Sequence, residues 1–449
     1  MIRIPAAAEP LVKALGGVFT RPTLDRFIVL MSGLIVTMGR HTVSRAIKAV
    51  EPKLQGHWCN YHRIYSSAKY SMWSLALALT RQVIALLPAD EPIVLLADDT
   101  VDGKEADHVW AKGAHRDAVR SSGSKAAIKF GHKWLVMCVW VQLPSMARGW
   151  ALPILCGMCI SPKVSKTIKR RPKTPSQITR QLLMRMMRWF PDRTFILIGD
   201  YQVVSHETAS FARRHRDRVT AIGHLRGDAN LYGQPLGLRR HARKGRKQPS
   251  PSQRIKQLTP RRQKVRWYGS SYRMIRHVSE ESLWFNKHSG QVTPIRWVCV
   301  LADPKLGLID SYYYSSDPTM DAKRIIELYA MRWNIEVTFQ ESRALLGLET
   351  TRHWCRQSVL RVTPMLLGLF TAVSLLWKEL YERKGQPLTC LSETPCYRKR
   401  HLTFADALYW VRRELWETTL LEHDPKTPCL SSLPPKLRQT LLWHLAAAA

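Results

Sequence analysis

Two runs constrain this chain most. Ile93-Val-Leu-Leu-Ala97-Asp98-Asp99 and Phe195-Ile-Leu-Ile-Gly199-Asp200 are apolar without alternation, and each stops on a carboxylate. A strand with one wet face alternates polar and apolar residues. An unbroken apolar run belongs to a central strand covered on both faces. Such strands are characteristic of α/β sheets, which place their ligands at the carboxyl edge of a parallel pair. One Asp after a strand commonly serves only the turn. Two of them, with a third acid further on, make a more specific constellation.

That third acid lies in Tyr329-Ala-Met-Arg332-Trp-Asn-Ile-Glu336, which continues to Arg343. On one helix, at 100° per residue, Tyr329, Arg332, Glu336 and Arg343 share an arc of roughly 60°. Ile335, Phe339 and Leu346 fall on an adjoining stripe, and Glu341 points away. Glu336 is therefore set among two guanidinium groups and a phenol, an arrangement that holds a cation and grips a phosphate.

The remaining elements follow from periodicity. Residues 10–88 read as helical, with an aromatic and basic cluster, Trp58-Cys-Asn-Tyr-His-Arg63, between helices. Residues 129–143 and 150–156 read as strands, 175–190 as a helix, 205–216 as a helix and 219–223 as a third core strand. From 225 to 317 the pattern changes. Arg239 to Arg266 holds twelve Lys or Arg and no acid, which predicts a flexible cationic loop. Strands expected near 265–268, 295–301 and 308–314 predict a small separate sheet. A further apolar helix is expected at 360–380, and a helical tail near 404–418.

Charge names the partner class. Lys+Arg 69 against Asp+Glu 34 gives +35, with pI near 10.2. A folded chain with that surplus attracts polyanions, and its affinity falls steeply with salt. The longest apolar run, Phe27 to Val36, is well short of the roughly 20 residues a membrane span needs. The start of the chain shows no apolar core with a cleavage site, so a nucleic acid partner in the cytoplasm, without a membrane, is expected. Nine cysteines in odd number suggest reduced thiols, and Cys156-Gly-Met-Cys159 reads as a buried strand rather than a zinc knuckle. Three carboxylates converging in so basic a chain call for divalent cations. Oxygen donors without a His cluster favour Mg²⁺, with Mn²⁺ able to substitute.

Asp98-Asp99-Thr100, Asp200-Tyr201 and the Tyr329…Arg332…Glu336…Arg343 spacing resemble the DDE transposases of bacterial insertion sequences. The nearest group is the one marked Tyr-x2-Arg-x3-Glu-x6-Lys. Arg343 stands where that group has Lys, which keeps the charge and changes the phosphate geometry. The resemblance covers about residues 58–380. It implies a ribonuclease-H-like core at 91–224 and 318–380 and a basic, mostly β insertion at 225–317 between the second Asp and the Glu. A helical DNA-end-binding region at 1–90 and a helical tail at 381–449 complete the expected layout. It further implies Asp98, Asp200 and Glu336 as metal ligands and catalytic groups, with Tyr329, Arg332 and Arg343 on DNA phosphates. Strand parity leaves Asp98 and Asp99 open as first ligand, and the family's Asp-x-Thr pattern favours Asp98. The function expected is cutting at terminal inverted repeats and joining of 3′ hydroxyl ends to target DNA by a homodimer. The rivals are a nuclease of the same core without strand transfer and a non-catalytic DNA-binding repressor.

Overall fold

The computed structural model describes residues 4–117, 121, 127–144, 146–235, 243–268, 271–384, 396, 401–420 and 433–447. Five helices lead: α1 (Glu9–Leu15), α2 (Arg21–Val36), α3 (Val43–Ala49), α4 (Cys59–Ser66) and α5 (Met72–Ile84). The strands β1 (Ile93–Gly103), β2 (Gly113–Arg116), β3 (Ile128–Val141) and β4 (Trp150–Cys159) follow. Next come α6 (Pro162–Thr167), α7 (Pro175–Trp189), β5 (Phe195–Gly199), α8 (His206–Arg214), β6 (Val219–His224) and β7 (Leu231–Tyr232). The later half holds α9 (Pro251–Arg254), β8 (Arg261–Arg266), β9 (Tyr272–Phe285), β10 (Val292–Val300) and β11 (Ser311–Ser315). It closes with α10 (Ala322–Ala330), α11 (Trp333–Leu345), α12 (Arg356–Lys384), α13 (Phe404–Leu415) and α14 (Pro435–Ala446).

All strands join one mixed sheet in the order β2-β3-β1-β5-β6-β11-β10-β9-β7, with β4 on β3 and β8 on β9. The separate small sheet expected for the later strands is not formed. β11 pairs antiparallel with β6 through Tyr314 opposite Gly223, so the later strands continue the sheet and bury its otherwise open edge. The expected cationic loop is also structured from 243 onward, where it contains α9 and β8; residues 239–242 lie outside the described residues. Arg254 explains part of this, because its Nε and Nη2 donate to Glu280 on β9 at 2.9 and 2.6 Å. β9 was invisible in the sequence, since its polar residues, His277 and Ser279 to Ser282 among them, mask the alternation.

The period of two assigns the sheet's faces. Leu95, Ala97, Leu135, Met137 and Leu197 enter one core with α1–α5, α7, α8, α12 and α13. Leu96, Val136, Ile196, Ile198 and Ile222 enter the other, covered by α10 and α11. The N-terminal helices are tied in by two buried arginines. Arg361 of α12 donates to the carbonyls of Ile64, Tyr65 and Ala68 at the end of α4. Arg412 of α13 donates to those of Ile35 and Thr37 at the end of α2. Each places positive charge on the negative pole of a helix. By length and composition α12 alone among the described helices is apolar enough to cross a membrane; 72% of that window is buried inside the protein.

Candidate active site

β1 and β5 run parallel with Ala97 level with Gly199, and β5 runs parallel with β6 with Gly199 level with Gly223. The next residue of each strand is therefore in one row: Asp98, Asp200 and His224. β5 stops at Gly199 while β1 continues to Gly103 along β3, so the sheet opens beside Asp98. Only glycine fits at 199. A Cβ there would stand 2.8 Å from the Val204 side chain and 2.9 Å from the Ala97 carbonyl. Asp200 closes the turn after β5, accepting the N–H groups of Gln202 and Val203 at 3.0 and 2.9 Å.

Asp98 and Asp99 face opposite ways, as a strand requires. Asp99 pairs with Lys133 at 2.8 Å. Asp98 turns toward α11, where Arg332 Nη1 donates to its carboxylate at 2.6 Å and Nη2 donates to Glu336 at 2.7 Å. Asp98 also accepts the Asp99 N–H at 2.8 Å. Burial pushes the Asp98 carboxyl up to about 7; Arg332 opposes the rise, and Asp200 and Asp99 add to it. Burial and Asp200 likewise push Asp99 up, against Lys133. Burial holds the His224 imidazole below its usual range.

The expected single helix from Tyr329 to Arg343 is two helices. Between α10 and α11 the amides of Met331, Arg332, Asn334 and Ile335 bond three residues back instead of four. This tighter turn is fixed in part by the Asn334 side chain on the Met331 carbonyl at 2.8 Å. Without Gly or Pro, the sequence carries no mark of it. Arg332 and Glu336 still meet as an i,i+4 pair. Tyr329 is buried, with its ring 4.2 Å from that of Tyr313. Arg343 is occupied by Glu349 at 2.6 Å and by the Thr100 hydroxyl. Thr338 anchors α11 by donating to the Ala151 carbonyl at 2.8 Å.

Arg332 is thus the cation between Asp98 and Glu336, and Asp200 stands beside Asp98 at the end of the neighbouring strand. Among the described residues, no three His, Cys, Asp or Glu side chains gather closely enough to hold a metal ion. Cys156 and Cys159 are strand residues with thiols pushed up to about 12 by burial.

The family model described as DDE superfamily endonuclease matches residues 14–275, more than half of the chain. The chain belongs to this family. The matched span of this DDE endonuclease chain includes Asp98 and Asp200 and ends before Glu336. No curated protein matches it. Among solved structures it resembles the cryo-EM structure of a piggyBac transposase synaptic complex with hairpin DNA. The identity is 11%, with 98% of this chain and 80% of that one covered, at a TM-score of 0.44.

Sequence reasoning missed several residues beside the acids of this DDE chain. Tyr201, Tyr268 and Trp333 are exposed aromatics, and the rings of Tyr268 and Trp333 are 6.0 Å apart. Tyr201 and Trp333 adjoin residues already singled out, so adjacency was an available signal. Tyr268 and His224 reach the site only through the pairing of distant strands.

Proposed function

We propose that this DDE endonuclease is a transposase. It binds the terminal inverted repeats of its element, cuts by metal-assisted phosphodiester hydrolysis, and directs the freed 3′ hydroxyl onto target DNA. One observation carries the reading: Asp98 and Asp200 stand level at the carboxyl edge of a parallel pair, with Glu336 one guanidinium away from Asp98. The antiparallel β4-β3-β1 set running into the parallel β1-β5-β6 set supports a ribonuclease-H-like core, and β7 to β11 an insertion in it. The charge of +35 supports DNA as the partner, and cutting both ends in one assembly calls for a homodimer.

The donors suit a hard divalent ion, Mg²⁺ or Mn²⁺. They are carboxylate oxygens, and burial beside Asp200 makes the Asp98 charge costly without a cation. Asp98 and Asp200 would hold it, joined by Glu336 once Arg332 gives way. When bound, such ions supply an activated water and stabilise the leaving oxygen. Arg332, freed from its carboxylates, and Arg343, freed from Glu349, would hold phosphates near the scissile bond. Tyr329 contributes its hydroxyl to the same wall, under its stack on Tyr313.

The test is a plasmid bearing the repeats that flank the gene, incubated with the chain and Mg²⁺ or with chelator. Mg²⁺-dependent nicking is expected, and Glu336→Gln and Asp200→Ala should lower it by roughly 10³-fold or more, several kcal/mol of barrier. Full nicking by Asp200→Ala would sink the assignment. Pre-cut ends with a free 3′ hydroxyl that never join target DNA would leave a nuclease in place of a transposase.

A further inference from the structure

The edge of the sheet beyond β3 carries a feature the acids do not use. Among the described residues β4 pairs with no strand but β3, and beyond its Ala151 and Pro153 carbonyls, which take the hydroxyls of Thr338 and Thr371, its other edge carries no strand. There a cavity of about 690 Å³ lies between α7, the start of α5 and the turn leading from α6 into α7. Arg170, Arg171, Lys173, Arg185 and Arg188 line it, and no Asp or Glu does. The run from Lys163 to Lys173 holds six cations and no acid, and Gln181, Met184, Arg185 and Arg188 form one helical stripe of α7.

Two tryptophans stand among these charges. Trp73 is 47% exposed, with the Arg185 guanidinium 4.6 Å over its ring. The Trp110 ring has Arg170 and Arg356 each at 5.9 Å. Met158, on the cavity wall, is level with Trp134 of β3, and Trp134 with Thr100 of β1. The groove is therefore at the acids' end of the sheet, two strand spacings, roughly 10 Å, to the side.

Crowded cations without acids repel one another and seek a polyanion. The exposed indole and guanidinium planes add a preference, because only an unpaired base can stack on them, whereas a duplex keeps its faces covered. We propose that this groove binds a single DNA strand, with phosphates on the five cations and a base against Trp73. The proposal rests on the function above, the strand being one arm of the DNA that is cut.

The test uses the full chain in chelator, with fluorescent single-stranded and duplex oligonucleotides of random sequence, followed by anisotropy over a salt series. Arg170→Ala/Arg171→Ala/Lys173→Ala should flatten the slope of log K against log salt for the single strand by about 2, at ~0.7 per phosphate. The triple Arg214→Ala/Arg216→Ala/Lys305→Ala removes the same charge from exposed positions elsewhere and should leave the slope nearly unchanged. Trp73→Ala should weaken single-strand binding by roughly fivefold or more and leave duplex binding alone, with Trp73→Phe restoring most of the loss. Equal losses in both triples, or a Trp73→Ala variant that binds like wild type, would overturn the groove while leaving the endonuclease intact. Wild-type chain that binds neither DNA would instead strike down the function itself.

Discussion

Two charged clusters share one face of β1, four residues apart, and they are opposites. At Asp98 the partners are open to water: the side chains of Asp98, Arg332 and Glu336 are 15%, 19% and 34% exposed. At Asp102 they are sealed: Asp102 and Lys104 pair at 2.8 Å with side chains 1% and 5% exposed. Thr363 of α12 donates to Asp102 at 2.5 Å, Lys104 reaches the Thr351 carbonyl at 3.4 Å, and His132 and His353 fill in around them. A closed ion pair, with Thr363 on one carboxylate oxygen of Asp102 and Lys104 on the other, fixes α12 and the 350s segment on the sheet. An open one, crowded by the second carboxylate of Asp200, keeps its charges available for exchange. Residue type does not separate structural from chemical charge here; access to solvent and unmatched acids do.

The largest effect should come from breaking the sealed pair. Asp102→Ala leaves Lys104 buried and unpaired, and should cost about 3–5 kcal/mol in denaturant unfolding. Asp102→Asn/Lys104→Met should recover most of it. If the single change costs no more than a surface substitution, the cluster is wetter than its burial indicates.

A smaller effect should appear with acid. Burial, with Lys104 adding, holds His353 down to about 3 from an ordinary 6.5. The unfolded chain then takes a proton the folded chain refuses, so stability is full above about pH 6.5 and falls as the pH drops below it. Roughly 2 kcal/mol should be lost between about pH 6.5 and 4.5. Thermal unfolding across that range should show the slope in wild type and a shallower one in His353→Leu; equal slopes would remove His353 from the account.

The smallest expected effect is at the open site. Arg332→Met deletes the cation between Asp98 and Glu336, so a divalent ion no longer competes with a guanidinium. Mn²⁺ affinity by calorimetry should rise about tenfold, or 1.4 kcal/mol. Unchanged or weaker Mn²⁺ binding would mean that the guanidinium and the ion never contend for the same oxygens.

Much of the fold was legible because its signals are local. The unbroken apolar runs of β1, β3 and β5 and the Pro-bounded pattern of α7 each carry their structure in consecutive side chains. The helix expected near 404–418 and the strand expected at 295–301, found as α13 and β10, were readable for the same reason. The failures were non-local. β9 hides its alternation behind polar residues that pair with β8 and β10, and the later strands looked like a sheet of their own because nothing in them announces the β6–β11 seam. At the site, Asp98, Asp200 and Glu336 could be proposed from the sequence, but the groups that bond them could not.

By itself the sequence determined that two buried strands end on acids, that a third acid follows among arginines, and that the whole chain is strongly cationic. Composition and periodicity act residue by residue, so one chain suffices to show them. Only the tertiary structure decided that Asp98 and not Asp99 turns toward Glu336, that a tight turn splits the helix at Arg332, and that Arg332 lies between two of the acids. It also decided that the charges on β1 divide into one sealed cluster and one open one. Those outcomes depend on strand register and on which distant helix covers which residue, and register is fixed by packing the whole sheet at once.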